Sequence, residues 1–218
     1  MALRIEMDGI HGAGKTTLFQ KLVETYMEND IKVFVGKETG INQVAWTKVL
    51  KRFLLDKNEI IKPEEFVSGM AAIRLGVHEY YKRIEKEFDI ILSDRGWLTQ
   101  VAYSPEHFED KKKGEEFTKE IFEGTLGYTK LPDKIYIIEA PIEMCLKRTQ
   151  ERRDGNLSKI EAKEEGFHRG IKERMDVEAK KLTAKKKVII AKIDNSLSLE
   201  RSTNEIKRCA LEELSMIK

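Results

Sequence analysis

Gly9-Ile10-His11-Gly12-Ala13-Gly14-Lys15-Thr16-Thr17 decides how this chain folds. The spacing is G-x-x-x-x-G-K-T, the pattern of a phosphate-binding loop. Glycines let successive backbone N–H groups turn inward around a polyphosphate and form a nest of fixed partial positive charge. Gly9, His11, Gly12, Ala13, Gly14, Lys15, Thr16 and Thr17 are therefore the expected nucleotide-binding residues. Lys15 can reach the β- and γ-phosphates, and the Thr16 hydroxyl can ligate Mg²⁺. The flanks agree: Leu3–Asp8 have a strand-like pattern, and Thr17–Met27 carry Leu18, Leu22 and Tyr26 at helical spacing. Strand, glycine-rich loop and helix N-terminus is the order that anion binding requires. The alternative is a glycine turn that holds no ligand.

Outward from the loop, composition narrows the class. The chain has 218 residues, enough for one α/β domain or a domain with a lid. Its net charge of +2 is the small difference between 40 basic and 38 acidic residues. That balance argues against nucleic acid or an acidic membrane as the main partner. With 36% charged residues the surface must be dense in ion pairs. Cys145 and Cys209 each fall inside a predicted helix, show no metal-ligand spacing, and read as reduced thiols. No signal-peptide core and no run of transmembrane length is found, so the expected location is the cytoplasm.

Five short apolar runs, Leu3–Met7, Ile31–Val35, Ile90–Leu92, Ile135–Ile138 and Val188–Ile193, alternate with helical patterns. They predict an α/β three-layer sandwich: a five-stranded parallel sheet covered by helices on both faces. The first run is interrupted by Arg4, Glu6 and Asp8, which predicts a strand less buried on one side than a central one. A helix is predicted from Pro63-Glu64-Glu65, with Phe66, Met70, Ile73, Val77, Tyr80 and Ile84 as its core-facing stripe. Lys111–Glu116 reads as a solvated helix start. Glu151–Arg174 is charge-rich and holds Arg152-Arg153-Asp154-Gly155-Asn156, a basic segment with turn residues, before a charged helix. No repeat or linker divides the chain, so residues 1–218 form one expected domain, with a lid at about 151–172.

Ser93-Asp94-Arg95 closes the third apolar run. Ligands of open parallel sheets gather beyond the carboxyl ends of the strands, where the phosphate loop also lies. Asp94 can hold Mg²⁺ directly or through water, and Arg95 can clamp a phosphate with a bidentate fork. The alternative is a surface ion pair at a strand end. Arg152 and Arg153 can swing over the phosphates and neutralise charge on a transferring phosphoryl group; a solvated basic helix end is equally open. Lys159 and Lys172 belong to the same set. Arg74 lies beside the apolar stripe of its helix and needs an acceptor, either a substrate group or a structural carboxylate.

Together these residues resemble the nucleoside-monophosphate kinases, most closely the thymidylate kinase family, over nearly the whole chain. Asp8–Thr17 is similar to that family's E-G-x-[DE]-G-[AS]-G-K-[ST]-T opening, and Lys37-Glu38-Thr39-Gly40 to its R-E-P-G segment. Ala71-Ala72-Ile73-Arg74 resembles A-A-D-R, which implies that Arg74 recognises the pyrimidine base. Asp94-Arg95-Gly96 with Ala102-Tyr103 resembles D-R-Y followed by A-Y; Tyr103 would then select deoxyribose, and Gln100 would fall near the base. Pro132–Tyr136 and Pro141-Ile142-Glu143 are similar to the fourth strand and the turn after it. Phe167, Ile171-Lys172 and Met175 fall where F-x-x-x-V-R-x-x-Y closes the lid. Ile193-Asp194-Asn195-Ser196 resembles I-D-A-S, whose backbone lies against adenine, so Asn195 joins the ATP site.

The departures lie on the acceptor side. His11 replaces an acid, Met70 stands where an aromatic stacks on the base, and Ile73 replaces the aspartate before Arg74. Gly96 removes the aromatic of D-R-Y, and Ser104 replaces a frequent glutamine. The resemblance implies a P-loop kinase with an arginine-bearing lid that moves the γ-phosphoryl of ATP, with Mg²⁺, to a deoxynucleotide, dTMP first. Lys15, Asp94, Arg95, Arg153 and Arg152 would be catalytic. Thr16 and Asp94 would hold the metal; Glu38, Met70, Arg74, Arg95, Gln100 and Tyr103 would bind the acceptor. The expected partners are small nucleotides and, by the same likeness, a second copy of the chain. One rival is a deoxynucleoside kinase using Glu38 as general base toward a 5′-hydroxyl. A second is a P-loop switch, since Ala191-Lys192-Ile193-Asp194 superficially resembles N-K-x-D; it lacks the asparagine and the D-x-x-G spacing.

Overall fold

The structure, a computed structural model, describes residues 1–37, 39–56, 61–153, 161–185 and 188–217; for 153 and 214–217 it describes the backbone only. Its elements are β1 (Leu3–Asp8), α1 (Lys15–Met27), β2 (Val33–Gly36), α2 (Ala45–Leu54) and α3 (Pro63–Ile84). β3 (Ile90–Asp94), α4 (Trp97–Tyr103), a short 3₁₀ turn (Ser104–His107), α5 (Lys111–Thr125) and β4 (Lys134–Glu139) follow. The chain continues through α6 (Ile142–Arg153), α7 (Glu165–Ala184), β5 (Ile189–Asp194) and α8 (Leu199–Ile217). All five strands are parallel, in the order β2-β3-β1-β4-β5. The register sets Met7 beside Asp94 and Asp8 beside Ile137, so the loop after β1 opens between the ends of β3 and β4. The expected α/β sandwich is the fold found.

β1 corrects the expectation of a half-exposed strand. It is the central strand, and Arg4, Glu6 and Asp8 are all buried. Buried charges persist where partners meet them. Arg4 reaches Glu85 at 3.5 Å and His78 Nδ1 at 3.4 Å. Glu6 lies 3.9 Å from Arg74. Asp8 accepts the N–H groups of Gly96 and Thr99 at 3.1 and 3.2 Å and the Thr99 hydroxyl. The three residues share one face of the strand by its period of two, and α3 and α4 supply what that face needs.

α3 begins at Pro63 as expected, with the Glu65 carboxylate accepting the Lys62 N–H at 3.0 Å. Its buried stripe is rotated from the expected one. Val67, Ala71, Arg74, His78 and Tyr81 join Met70, Ile73, Val77 and Ile84. Phe66 and Tyr80 sit at the edge, stacked on His107 and tilted against Phe34. α2 has no counterpart in the sequence reading: only Thr47 and Leu54 are buried, and Trp46, Val49 and Phe53 face outward.

α8 packs on α1 and is pinned by Glu213, which accepts from the hydroxyls of Tyr26 and Tyr136 and pairs with Lys134 Nζ at 2.6 Å. Both cysteines are free and buried, and burial raises their thiol pKa values. Among the described residues no helix is long and apolar enough to cross a membrane.

Candidate active site

The phosphate loop needs glycine at two points for reasons visible in its surroundings. Gly12 has φ +78° and a Cβ there would lie 2.0 Å from the Cys145 carbonyl oxygen. Gly14 has φ +95° and its Cβ would lie 2.1 Å from Asn195 Nδ2. Both values lie where L side chains are strained, and both spaces are filled by α6 and the β5–α8 turn. Asn195 Nδ2 donates to the Ala13 carbonyl at 2.8 Å, while Asn195 Oδ1 accepts from Ser202 at 2.9 Å. Asn195 thus ties the turn after β5 to the loop after β1.

Lys15, the first residue of α1, is buried and donates from Nζ to the Ile10 carbonyl at 2.7 Å. Burial, then the Arg95 charge, push its pKa down to about 7, against the pull of Asp94 and Asp8. A lysine held in that balance is ready to exchange a loop carbonyl for phosphate oxygens. Thr16 and Thr17 are exposed on the wall of the same cavity, which has a volume of about 580 Å³.

Asp94 and Arg95 turn out of β3 toward this cavity. Arg95 has φ +66°, a left-handed conformation uncommon outside glycine, and its N–H is held by the Met7 carbonyl at 3.0 Å. The strained turn aims Arg95 across the loop, where Nη2 lies 3.4 Å from His11 Nε2 and the guanidinium 5.9 Å from the Tyr103 ring centre. Asp94 Oδ2 accepts from Lys37 Nζ at 3.0 Å.

His11 is a neutral bridge. Burial first, then Arg95 and Lys15, press its pKa down to about 3. With Nε2 accepting from Arg95, the ring proton sits on Nδ1, 3.7 Å from Glu161 Oε1. Glu161 is itself buried and accepts from Arg152 Nη2 at 3.1 Å. The His11 ring also meets Tyr103 edge-on at 5.8 Å.

The cavity therefore gathers Gly12, Gly14, Lys15, Thr16, Thr17, His11, Asp94, Arg95, Arg152 and Asn195 of the expected set. It adds Lys37, Arg148, Glu161 and Leu199, to which the sequence reading assigned no role. Arg148 was discoverable: it precedes Arg152 by four residues and shares its helix face. Its Nη2 donates to the Asn195 carbonyl at 3.1 Å, and its buried Nη1 has no hydrogen-bond partner among the described residues. Arg153 ends α6, and its side chain lies outside the described residues, as do Glu38 and Lys159. Lys172 is turned to another task, pairing with Glu139 at 3.1 Å and Asp176 at 2.8 Å.

The acceptor-side candidates divide. Tyr103 adjoins Arg95 and His11. Met70, Arg74 and Gln100 are buried in the layer formed by α3, α4 and the sheet, off the cavity wall. Arg74 is fully buried, 3.9 Å from Glu6 and 5.0 Å from the Trp97 ring centre.

A rim that gathers, among the described residues, five cations and two carboxylates can neutralise a polyphosphate donor while a second phosphate is brought up to it, and this makes the protein a P-loop nucleotide kinase. The family model described as Thymidylate kinase matches residues 7–206, and the chain belongs to that family. A thymidylate kinase of Pediococcus pentosaceus is 28% identical over 98% of this chain and 97% of its own length. One from Mesoplasma florum is 28% identical over the same shares. One from Chlamydia trachomatis is 25% identical over 93% of this chain and 98% of its own. The chain is accordingly an ATP-dependent nucleoside-monophosphate kinase.

Proposed function

We infer that the chain transfers the γ-phosphoryl group of ATP to dTMP, giving dTDP, with Mg²⁺ held by Thr16 and Asp94. The observation that carries this reading is the set of cations facing the loop: among the described residues, Lys15, Lys37, Arg95, Arg148 and Arg152 against Asp94 and Glu161. Phosphoryl transfer asks little covalent chemistry of a protein, so positioning and charge neutralisation do most of the catalysis. The loop amides and Lys15 hold the donor phosphates. Arg148 offers to the same group its Nη1, which has no partner among the described residues. Arg95, steadied by His11 and Tyr103, orients the acceptor phosphate. Arg152, with Arg153 beside it in sequence, supplies the transition-state cation from a lid at about 151–172, leaving Glu161 for phosphate.

Mg²⁺ suits this donor set, because it takes one or two protein oxygens and fills its remaining positions with phosphate and water. When bound it neutralises charge on the phosphates. Asp94 is half-exposed beside Thr16 on the cavity wall, and Lys37 Nζ holds the carboxylate in place. Among the described residues there is no cluster of three His, Cys, Asp or Glu that could hold a metal by itself, in keeping with a site the nucleotide completes.

The same reading places the enzyme in the cytoplasm, as its two free thiols suit, and makes it a homodimer. The outward Trp46, Val49 and Phe53 of α2 support pairing. The test is a phosphotransfer panel with ATP against dTMP, dUMP, dCMP, dGMP, UMP and thymidine, with and without EDTA. dTMP is expected to be the best acceptor, and chelation to abolish transfer. Robust phosphorylation of thymidine without turnover of dTMP would overturn the reading.

A further inference from the structure

Glu6 is a carboxylate at the middle of the central strand, 3% exposed. Replacing a buried ion pair by apolar residues is commonly neutral or stabilising, so stability alone is a weak reason for its presence. Its contacts give a better one. Oε2 accepts the N–H of Trp97, the first residue of α4, at 2.8 Å, and Oε1 lies 3.9 Å from Arg74 Nη1 on α3. Trp97 in turn lies under the Arg74 guanidinium at 5.0 Å. One side chain of β1 thus touches the two helices that carry Met70, Arg74, Gln100 and Tyr103. It also occupies the space beside residue 96, where a Cβ would meet Oε2 at 2.0 Å. The missing aromatic after Asp94-Arg95 is thereby explained: Glu6 stands where that side chain would begin.

We propose that Glu6 is a positioning residue for acceptor selection, setting the Arg74 guanidinium against Trp97 so that the orientation of the base-reading cation comes from β1. The proposal rests on the role that the family resemblance implies for Arg74, recognition of the acceptor base, and requires that its buried guanidinium become accessible when the acceptor binds. A guanidinium presents its donors in a fixed fork, so its orientation decides which base edge it satisfies. Thymine offers a carbonyl oxygen where cytosine offers an amino group, and a fork aimed at that edge leaves cytosine's donor without an acceptor. Discrimination of this kind depends on the site's polar groups being correctly aimed.

The experiment compares wild type, Glu6→Gln, Glu6→Asp and Arg74→Lys in steady-state kinetics with dTMP, dCMP and ATP. Glu6→Gln keeps an acceptor for the Trp97 N–H and removes the charge facing Arg74. Its KM for dTMP is expected to rise about tenfold and its preference for dTMP over dCMP to narrow by a similar factor. Its KM for ATP is expected to stay at the wild-type value. Glu6→Asp draws the charge back by one methylene and should move the same readouts less; it serves alone if Glu6→Gln fails to fold. Unchanged acceptor KM and preference in the Glu6 variants, even with a lowered Tm, would leave Glu6 a structural ion-pair partner and overturn the proposal. Arg74→Lys separates the two levels. If it changes acceptor preference and the Glu6 variants do not, this proposal alone fails; if it leaves preference intact, the reading of Arg74 fails and the proposal with it.

Discussion

The side-chain amide of Asn195 donates to the Ala13 carbonyl at 2.8 Å, and this bond closes the phosphate loop against the turn between β5 and α8. Asn195 is buried and its side chain also accepts from Ser202, so its removal takes the donor from the buried Ala13 carbonyl and one acceptor from Ser202, while the bond from Arg148 to the Asn195 backbone carbonyl remains. Asn195→Ala is expected to lower stability by about 1–3 kcal/mol. With the loop loosened, KM for ATP should rise about tenfold while KM for dTMP moves little. Thermal melts and kinetics with each substrate varied in turn check both halves.

Lys15 has its pKa pressed to about 7 by burial and by Arg95. The unfolded chain would keep its proton to near 10.5, so between those values unfolding takes up protons. Stability of the ligand-free enzyme is therefore expected to rise with pH through that window. Phosphate oxygens restore the charged form, so ATP binding at pH 8 should take up close to one proton per site. Calorimetry in buffers of different ionisation heat reads this directly. Lys15→Met should abolish the uptake and lower kcat by roughly 10²–10³-fold.

His11 stays neutral because burial, Arg95 and Lys15 hold its pKa near 3. Its ordinary value is 6.5, so the stability tied to neutral His11 is complete above that pH and is lost as pH falls toward 3. Between pH 6.5 and 8 the acceptor kcat/KM should show no break from this residue. His11→Gln, which can still accept from Arg95, should stay within about threefold of wild type, whereas His11→Leu should raise acceptor KM about tenfold. A pH–rate series on the three proteins decides it.

Trp46, Val49 and Phe53 are each about half exposed or more and recur along one face of α2. A dimer through this face should be broken by Phe53→Glu, which buries a charge in any apolar interface. Sedimentation velocity is expected to show a dimer for wild type and a monomer for the variant.

The donor half of the site was legible because it is local. The phosphate loop is nine consecutive residues, and the Asp94-Arg95 turn closes an apolar run that could hardly be anything but a strand. The buried polarity of β1 was not legible, since its meaning lies far along the chain. Arg4 finds Glu85 81 residues away, and Asp8 finds Thr99 91 residues away. Read in isolation, alternating charges on an apolar strand signal solvent; folded, they meet helices that carry the complement. α2 escaped for a different reason: Leu50 and Leu54 meet the core while Trp46, Val49 and Phe53 are half exposed or more, so its apolar residues do not mark a single core-facing stripe. Glu161 sits among charged neighbours in the sequence, and only the fold sets it between His11 and Arg152.

Gly96 and Glu6 share one volume although ninety positions separate them in the chain. Neither can drift alone. A descendant that gains a side chain at 96 must move or shorten the residue at 6, and one that loses Glu6 opens a hole beside 96 and takes that carboxylate away from Arg74. The two sites are therefore inherited as a pair: relatives that carry an aromatic after the Asp-Arg step should carry a smaller, uncharged residue at the position of Glu6.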